Sequence, residues 1–530
     1  MHLSKKITCY SIITIVCLVS LSGCILEDLL FGTSFSLTSW YVCNDEGFPC
    51  LSLAFCSTGT VTIKIFGPTG ILLNSDLLFY GSNSTLLRLA SYKGTVTSGQ
   101  YDLRTYDKNN NEIFEKTFYF KGPELSISSC THKLWKQESW KDDYSLLAMK
   151  VFNKGDTPAY PCNAEADVDS KSYSGLVLPC VILPGESKDI DCFVYNEDIS
   201  EGAAFTMSLK DSVGTKIGNG SFSVVIENDV PTKEFEWKYG GRNRRLSVPY
   251  PEFLYSYYIC IERFSLEDYS VYVFDYYDND YIDLLIDRLM YDYNIEDDVD
   301  KINFAASFVQ NLEYKKDSQA NGSFEYPRYP VETIFNGDGG GDCEDMAILT
   351  ASILDRMGYD VALFRLAEHM AVGVSLDENI SSYEHYIDNY YFLETTTSHK
   401  LGFIPSEYKS KSNLTVYPIS SRPLLIHEWR NGSITIFKGT EMGDFVKASL
   451  IVENLGISMA ENILVTAGFY TQNNLEFNVE TEIILSLKPG GKEELTLIAD
   501  IPQDATTWFK TRVYLEDGIV NEKESTSSFP

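Results

Sequence analysis

Three residues of this chain have the types and order of a nucleophile relay: Cys343, His369 and Glu394. Such a set does acyl chemistry. A thiolate attacks a carbonyl carbon, an imidazole takes the thiol proton, and a carboxylate fixes the tautomer and orientation of the imidazole. Cys343 follows the glycine-rich run NGDGGGD and opens a helical pattern in which Met346, Leu349, Ile353 and Met357 recur at spacings of three and four, with Gly358 as a stop. Asp342 has the type of an N-cap, and Asp345 stands in the capping-box position. A thiol in the first turn feels the positive end of the helix dipole, which favours the thiolate, whereas Asp342, Glu344 and Asp345 oppose it. The imidazolium of His369 is expected to offset these carboxylates. His369 heads the alternating run HMAVGVSL, and Glu394 lies near the end of YYFLETTT, so the base and the acid are expected on neighbouring strands.

The elements that must position this set are predicted over 229–425. Two helical patterns, DNDYIDLLIDRLMYDYN and DDVDKINFAASFVQNLEY, precede the Cys343 helix, and the runs DVALFRL, HMAVGVSL and YYFLETTT follow as strands. That order predicts an α+β domain whose helices come before a sheet. Regions 34–122, 123–228 and 437–530 alternate in short runs broken by turn residues, the mark of immunoglobulin-like β-sandwich domains. Two of them share a repeat. Val151–Ala159 (VFNKGDTPA) and Val452–Ala460 (VENLGISMA) both read V-x-N-x-G-x-x-x-A, and each is followed by a Pro-Gly turn at Pro184 or Pro489. The sandwiches carry no visible catalytic set, so spacer or loop-borne binding roles are expected of them.

Residues 1–24 have a short basic start, an apolar run and LSGC, which predicts a secretory signal resembling a lipoprotein leader. Residues 25–33 would then be a tether, and lipidated Cys24 or an uncleaved anchor would hold the chain on the outer face of the membrane. Export makes disulfides the expectation for Cys43, Cys50, Cys56, Cys130, Cys162, Cys180, Cys192 and Cys260. Sequons at Asn83, Asn219, Asn321, Asn379, Asn413 and Asn431 are compatible with a glycosylated surface protein. A net charge of −32 argues against nucleic acid and acidic substrates as partners.

The motif GGGDCEDMAILTASILDRMGYDVALF, then HMAVGV, then YYFLETTT, resembles the transglutaminase-like superfamily, closest to its prokaryotic, largely archaeal cysteine peptidase branch. FAASFVQNLEYKKD and YPRYPVETIFNGDGGGDCED resemble the lead-in of that branch. The resemblance implies a papain-like core with Cys343 as nucleophile, His369 as base, Glu394 as triad acid and Gln310 as an oxyanion-hole side chain. Glu394 stands where the wider superfamily has Asp, and Asp388 is the alternative acid.

Competing motifs fail on spacing. Counting twelve from Asp338 reaches Leu349, where a calcium loop needs Glu. The glycine run lacks a following GK[ST], and HEWRN at 427 lacks the second His of a zinc helix. No cofactor or metal is expected, since thiol and imidazole supply the chemistry. The sequence thus predicts an exported cysteine hydrolase or acyltransferase for polypeptide or other amide-bearing substrates, with cell-envelope proteins as further partners. The alternative is a non-catalytic surface scaffold on the same fold.

Overall fold

The computed structural model describes residues 32–529 apart from 135–143, 169–170, 196–201, 224, 228–230, 265, 292, 294, 318–325, 378–379, 411–412, 420–421, 441–442, 504 and 517. The signal segment, most of the tether, Cys24 and the sequons at Asn321 and Asn379 therefore lie outside the described residues. Among the described residues no helix is long and apolar enough to cross a membrane. β-Structure dominates, distributed over several separate sheets, as a multi-domain β-rich chain requires. By contacts the chain divides into two compact units, a smaller one made of 1–43, 50–89 and 97–121 and a larger one made of the rest.

The site lies in the larger unit. A hairpin, Thr232–Tyr239 with Arg242–Pro249, leads into six helices: α1 (Glu252–Tyr258), α2 (Ser270–Phe274), α3 (Asn279–Met290), α4 (Asp298–Val309), α5 (Pro330–Phe335) and α6 (Cys343–Arg356). Cys343 thus opens the sixth of these rather than the third. The three extra helices are only five to seven residues long, too short to show a clear period in sequence. Four strands follow, β1 (Asp360–Arg365), β2 (Met370–Ser375), β3 (Tyr390–Leu393) and β4 (Thr415–Pro418), in the antiparallel order β3-β2-β1-β4. α6 is buried from Glu344 to Leu354 and packs on β1 and β2, because it is apolar on nearly every face. It ends where expected, with Gly358 at a φ of 90°.

The β-regions fold around their alternating residues. In the smaller unit, strands Leu72–Leu78, Val61–Phe66, Gly99–Asp107 and Glu112–Phe120 form one sheet in that order, and Val61, Ile63 and Ile65 turn inward in register with alternate partners. Residues 125–227 form a continuous eight-stranded sheet whose ends meet at the Val177–Cys192 bridge, wrapping a core that includes Leu147, Val151 and Leu209. The C-terminal region packs two four-stranded sheets around Val465, Phe469 and Phe509. It begins earlier than the expected 437, since Leu425–Trp429 pairs with Gly443–Asn454. Cys56, Cys130, Cys162, Cys180, Cys192 and Cys260 are free thiols here, so the disulfides expected among them are not formed.

The sequence repeat corresponds to one repeated hydrogen-bond network. Asn153 and Asn454 are both fully buried. Asn153 Nδ2 donates to the carbonyls of Thr157 and Ile182, each at 2.9 Å, and its Oδ1 accepts from the N–H of Glu124 and Gly155. Asn454 repeats this with Ser458 (2.8 Å), Leu487 (3.0 Å), Leu424 and Gly456. The N–H of Gly185 or Gly490, second residue of each Pro-Gly turn, closes the corner on the Asn carbonyl. Gly155 and Gly456 are obligatory, because a Cβ at either would collide with the incoming backbone at Gly122–Glu124 or Arg422–Leu424. Each corner therefore ties the strand to the segment that enters its domain.

Removing the Asn454 side chain takes a partner from four backbone groups, two at buried contacts and two at part-buried ones. Asn454→Ala is expected to lower the stability of the C-terminal sandwich by about 2–3 kcal/mol, read as an earlier unfolding transition in urea, with Asn454→Asp intermediate because the acceptor remains. An unchanged midpoint for Asn454→Ala would show that the corner is not what holds the segment.

Candidate active site

The glycine run sets the position of Cys343. Gly340–Gly341 pairs in parallel with Glu313–Tyr314, which follows directly from the end of α4. A Cβ on Gly340 would overlap the Glu313 carbonyl, and one on Gly341 would overlap the Asp345 carboxylate. Only glycine permits so close an approach, and Gly339 and Gly340 also hold positive φ. Asp342 then caps α6, with Asp345 reaching back to the Asp342 N–H at 3.2 Å, as the spacing predicts. Asp345 is fully buried, accepts the Arg328 N–H at 2.7 Å, and forms an ion pair with the Arg328 guanidinium.

Glu394 lies one residue past β3, and His369 one residue before β2. Their side chains meet, with His369 Nε2 3.0 Å from Glu394 Oε2. The other carboxylate oxygen accepts from the N–H of Thr395 (3.1 Å), the N–H of Thr396 (2.9 Å) and the Thr396 hydroxyl (2.6 Å). Burial pushes the Glu394 carboxyl up, but the His369 and Thr396 contacts outweigh it and leave the group below the ordinary carboxylate range. Asp388 instead occupies a turn beside the Ile387–Tyr390 bridge, at a φ of 49°. Of the two acids weighed from sequence, Glu394 is the one that touches the imidazole.

The backbone N–H of Met370, the residue after His369, acts on the Cys343 thiol in the direction of the thiolate, and the Cys343 helix packs on β2, the strand that His369 precedes. The Tyr408 ring covers His369, parallel within 5° at a centroid distance of 4.5 Å. Neither Tyr408 nor its short helix, Ser406–Tyr408, gave a sequence signal, since it lies far along a loop from His369. Tyr314, half exposed, is the other phenol in the field of Cys343.

Two expectations are corrected. The Cys343 thiol is not shifted toward thiolate: burial first, and Glu344 second, push it up to about 12. It lies 3.2 Å from Glu344 Oε2, a neighbour whose own carboxyl is raised by burial and by Asp342 to about 9. The Gln310 amide nitrogen donates to the carbonyls of Glu394 (2.8 Å) and His399 (2.9 Å). Both amide hydrogens are engaged, so the oxyanion role expected for Gln310 gives way to one of holding the acid segment against the end of α4.

The carboxylates of Asp317, Asp342 and Asp345 cluster within 4.8 Å of one another, a spacing that suits a cation. Arg328 already answers two of them, pairing with Asp317 at 2.8 Å as well as with Asp345. Arg328 therefore neutralises part of this cluster.

No family profile and no curated protein matches the chain. Among solved structures, the red sea bream transglutaminase is similar at 10% identity over 72% of this chain and 80% of that one, with a TM-score of 0.17. The archaellum periplasmic stator protein FlaG of Sulfolobus acidocaldarius matches 19% of this chain at 12% identity, covering 99% of its own length, with a TM-score of 0.14. The exo-chitosanase CsxA of Amycolatopsis orientalis covers 90% of this chain and 76% of its own length at 10% identity, with a TM-score of 0.16. Likeness this low carries no argument about function, and the site is read from its own geometry.

Because Glu344 ionises before the thiol does, Cys343 must form its thiolate against a negative neighbour. Glu344→Gln is expected to move the pH profile of Cys343 alkylation by iodoacetamide down by about one unit. A profile unmoved by that substitution would assign the raised thiol to burial alone.

Proposed function

We propose that the central region is a transglutaminase-like, papain-like core that cleaves or transfers amide or peptide bonds through a Cys343 thioester. The observation that carries this reading is the 3.0 Å His369–Glu394 contact beside β2, the strand on which the Cys343 helix packs. With Nε2 held by Glu394, Nδ1 of His369 is left to take the thiol proton. The resting pair is a neutral thiol and imidazole, so proton transfer accompanies attack of sulfur on the amide carbon. His369 then returns that proton to the leaving amine. Water, or a second amine, breaks the thioester and regenerates the thiol. The Cys343 backbone N–H, at a helix start with no intrahelical acceptor, serves the oxyanion. Gln310 acts as a positioning residue for the Glu394 segment. In this reading the chain is exported, tethered through Cys24 or an N-terminal anchor, and the sandwiches hold the core away from the membrane.

A second reading is favoured by the raised thiol and the engaged Gln310 amide: a surface scaffold that keeps the fold without turnover. The two separate on one experiment. Incubation with a library of peptide amides, followed by mass spectrometry, is expected to give an acyl adduct on Cys343 and released amine, both lost in Cys343→Ala. Glu394→Gln is expected to lower the rate of adduct formation by about 10²–10⁴-fold while leaving the fold intact. Absence of any adduct, at a pH where the thiol is alkylated, would leave the scaffold reading.

A further inference from the structure

Away from Cys343, a cavity of about 270 Å³ opens within the larger unit. Its walls come from three places: the turn at Tyr92–Lys93, the helical segment around Tyr257, Tyr276 and Tyr277, and the Asn454 corner with its Pro-Gly turn. The volume is a little below that of pockets for drug-sized ligands, which limits the occupant to one ring with its substituents.

The lining is aromatic and hydroxylated. Tyr276 and Tyr277 lie with ring centroids 4.5 Å apart, and the Tyr276 hydroxyl donates to that of Tyr277 at 3.2 Å. Tyr257 meets Tyr277 edge-on at 6.0 Å. Burial raises the phenols of Tyr92, Tyr257, Tyr276 and Tyr277, so all of them present O–H groups rather than charge. Gly490 has no side chain to fill the space, and a Cβ there would stand 3.0 Å from the Tyr276 hydroxyl.

The charges around the cavity do not cancel evenly. Glu453 is engaged by Lys492 at 2.8 Å. Asp275 accepts from the Tyr258 hydroxyl at 2.5 Å and from the Tyr277 N–H at 3.0 Å. Glu262 is exposed to solvent. Lys93 differs: its ammonium stands 5.1 Å from the Tyr92 ring centre, and among the described residues no carboxylate is within ion-pair distance of it. Its backbone has a φ of 50°, a conformation that costs a non-glycine residue energy. Burial lowers its pKa, while Glu453 acts on it from beyond ion-pair distance.

We propose that this cavity binds an acidic monosaccharide, with the sugar ring against the tyrosines, its hydroxyls bonded to the phenols, and its carboxylate on Lys93. Rings, neutral hydroxyl donors and one ammonium without an ion-pair partner are together the complement of a hydroxylated ring that bears an anion, a local exception to the acidic character of the whole chain. The inference stands apart from the Cys343 chemistry, since none of the cavity residues belongs to that site.

Isothermal titration of the full chain with glucuronate, glucose and benzoate tests it. Saturable binding is expected for glucuronate and none for glucose, with a loss of about tenfold or more in Lys93→Met, the size of one charge-assisted contact. Tyr276→Phe, which keeps the ring and removes a donor, is expected to weaken glucuronate several-fold, and it serves as the second variant should Lys93→Met fail to melt like the parent. No saturable glucuronate binding, or binding indifferent to both substitutions, overturns the proposal. Benzoate binding as tightly as glucuronate overturns the sugar assignment.

Discussion

The central region depends on one guanidinium. Arg328 holds two carboxylates, the half-buried Asp317 and the fully buried Asp345, beside a helix start that also carries Asp342 and Glu344. Without that cation the negative charges at this helix end would be desolvated and uncompensated, a far costlier state than either the paired one or a wholly apolar one. Asp345 converts the pairing into position: its carboxylate binds the Arg328 side chain and backbone on one side and the Asp342 N–H on the other. A second buried arginine braces the approach. Arg263 bonds to Glu332 of α5 at 2.5 Å, to the Pro327 carbonyl at 2.8 Å and to the Tyr326 hydroxyl at 2.6 Å. The two cations thus fix the backbone on both sides of Tyr329 before it reaches the glycine run, and the thiol is delivered by a rigid path.

That rigidity governs the chemistry of the thiol. Packing the helix start this tightly leaves Cys343 only partly exposed, and partial loss of water works against any anion formed there. The same burial strengthens the His369–Glu394 contact, whose carboxylate is saturated by four donors. The site therefore has a well-fixed His369–Glu394 pair and a thiol held neutral. Under the function proposed above, reactivity would depend on coupling proton loss to bond formation rather than on a standing ion pair.

Legibility in the sequence followed the length and locality of each signal. α6 was readable to its last turn because four apolar residues repeat at helical spacing between a capping pair and a glycine. The Asn corner was readable because its donors and acceptors lie mostly within a few residues, so the constraint repeats as a motif. Neighbouring strands for His369 and Glu394 were likewise legible from alternation. What escaped is what tertiary packing decides. The short helices α1, α2 and α5 are held by buried tyrosines and arginines rather than by period, and Tyr408 reaches His369 only through loop closure. The same holds for the raised thiol, since burial of Cys343 is a property of the whole packed helix start. Gln310 was legible as a residue near the site but not in its orientation, which two carbonyls from another segment set.

The Asn153 and Asn454 corners carry a mechanical meaning. Each clamps the first residues of its domain, Glu124 or Leu424, to a buried side chain on the neighbouring strand. A pull along the chain at either boundary loads these bonds in shear, together with the adjoining carbonyl contacts to Lys154 and Leu455. Peeling the incoming segment away one bond at a time is not open to it. In a chain held by one end, force would be borne at the two corners before it reached the helices between them.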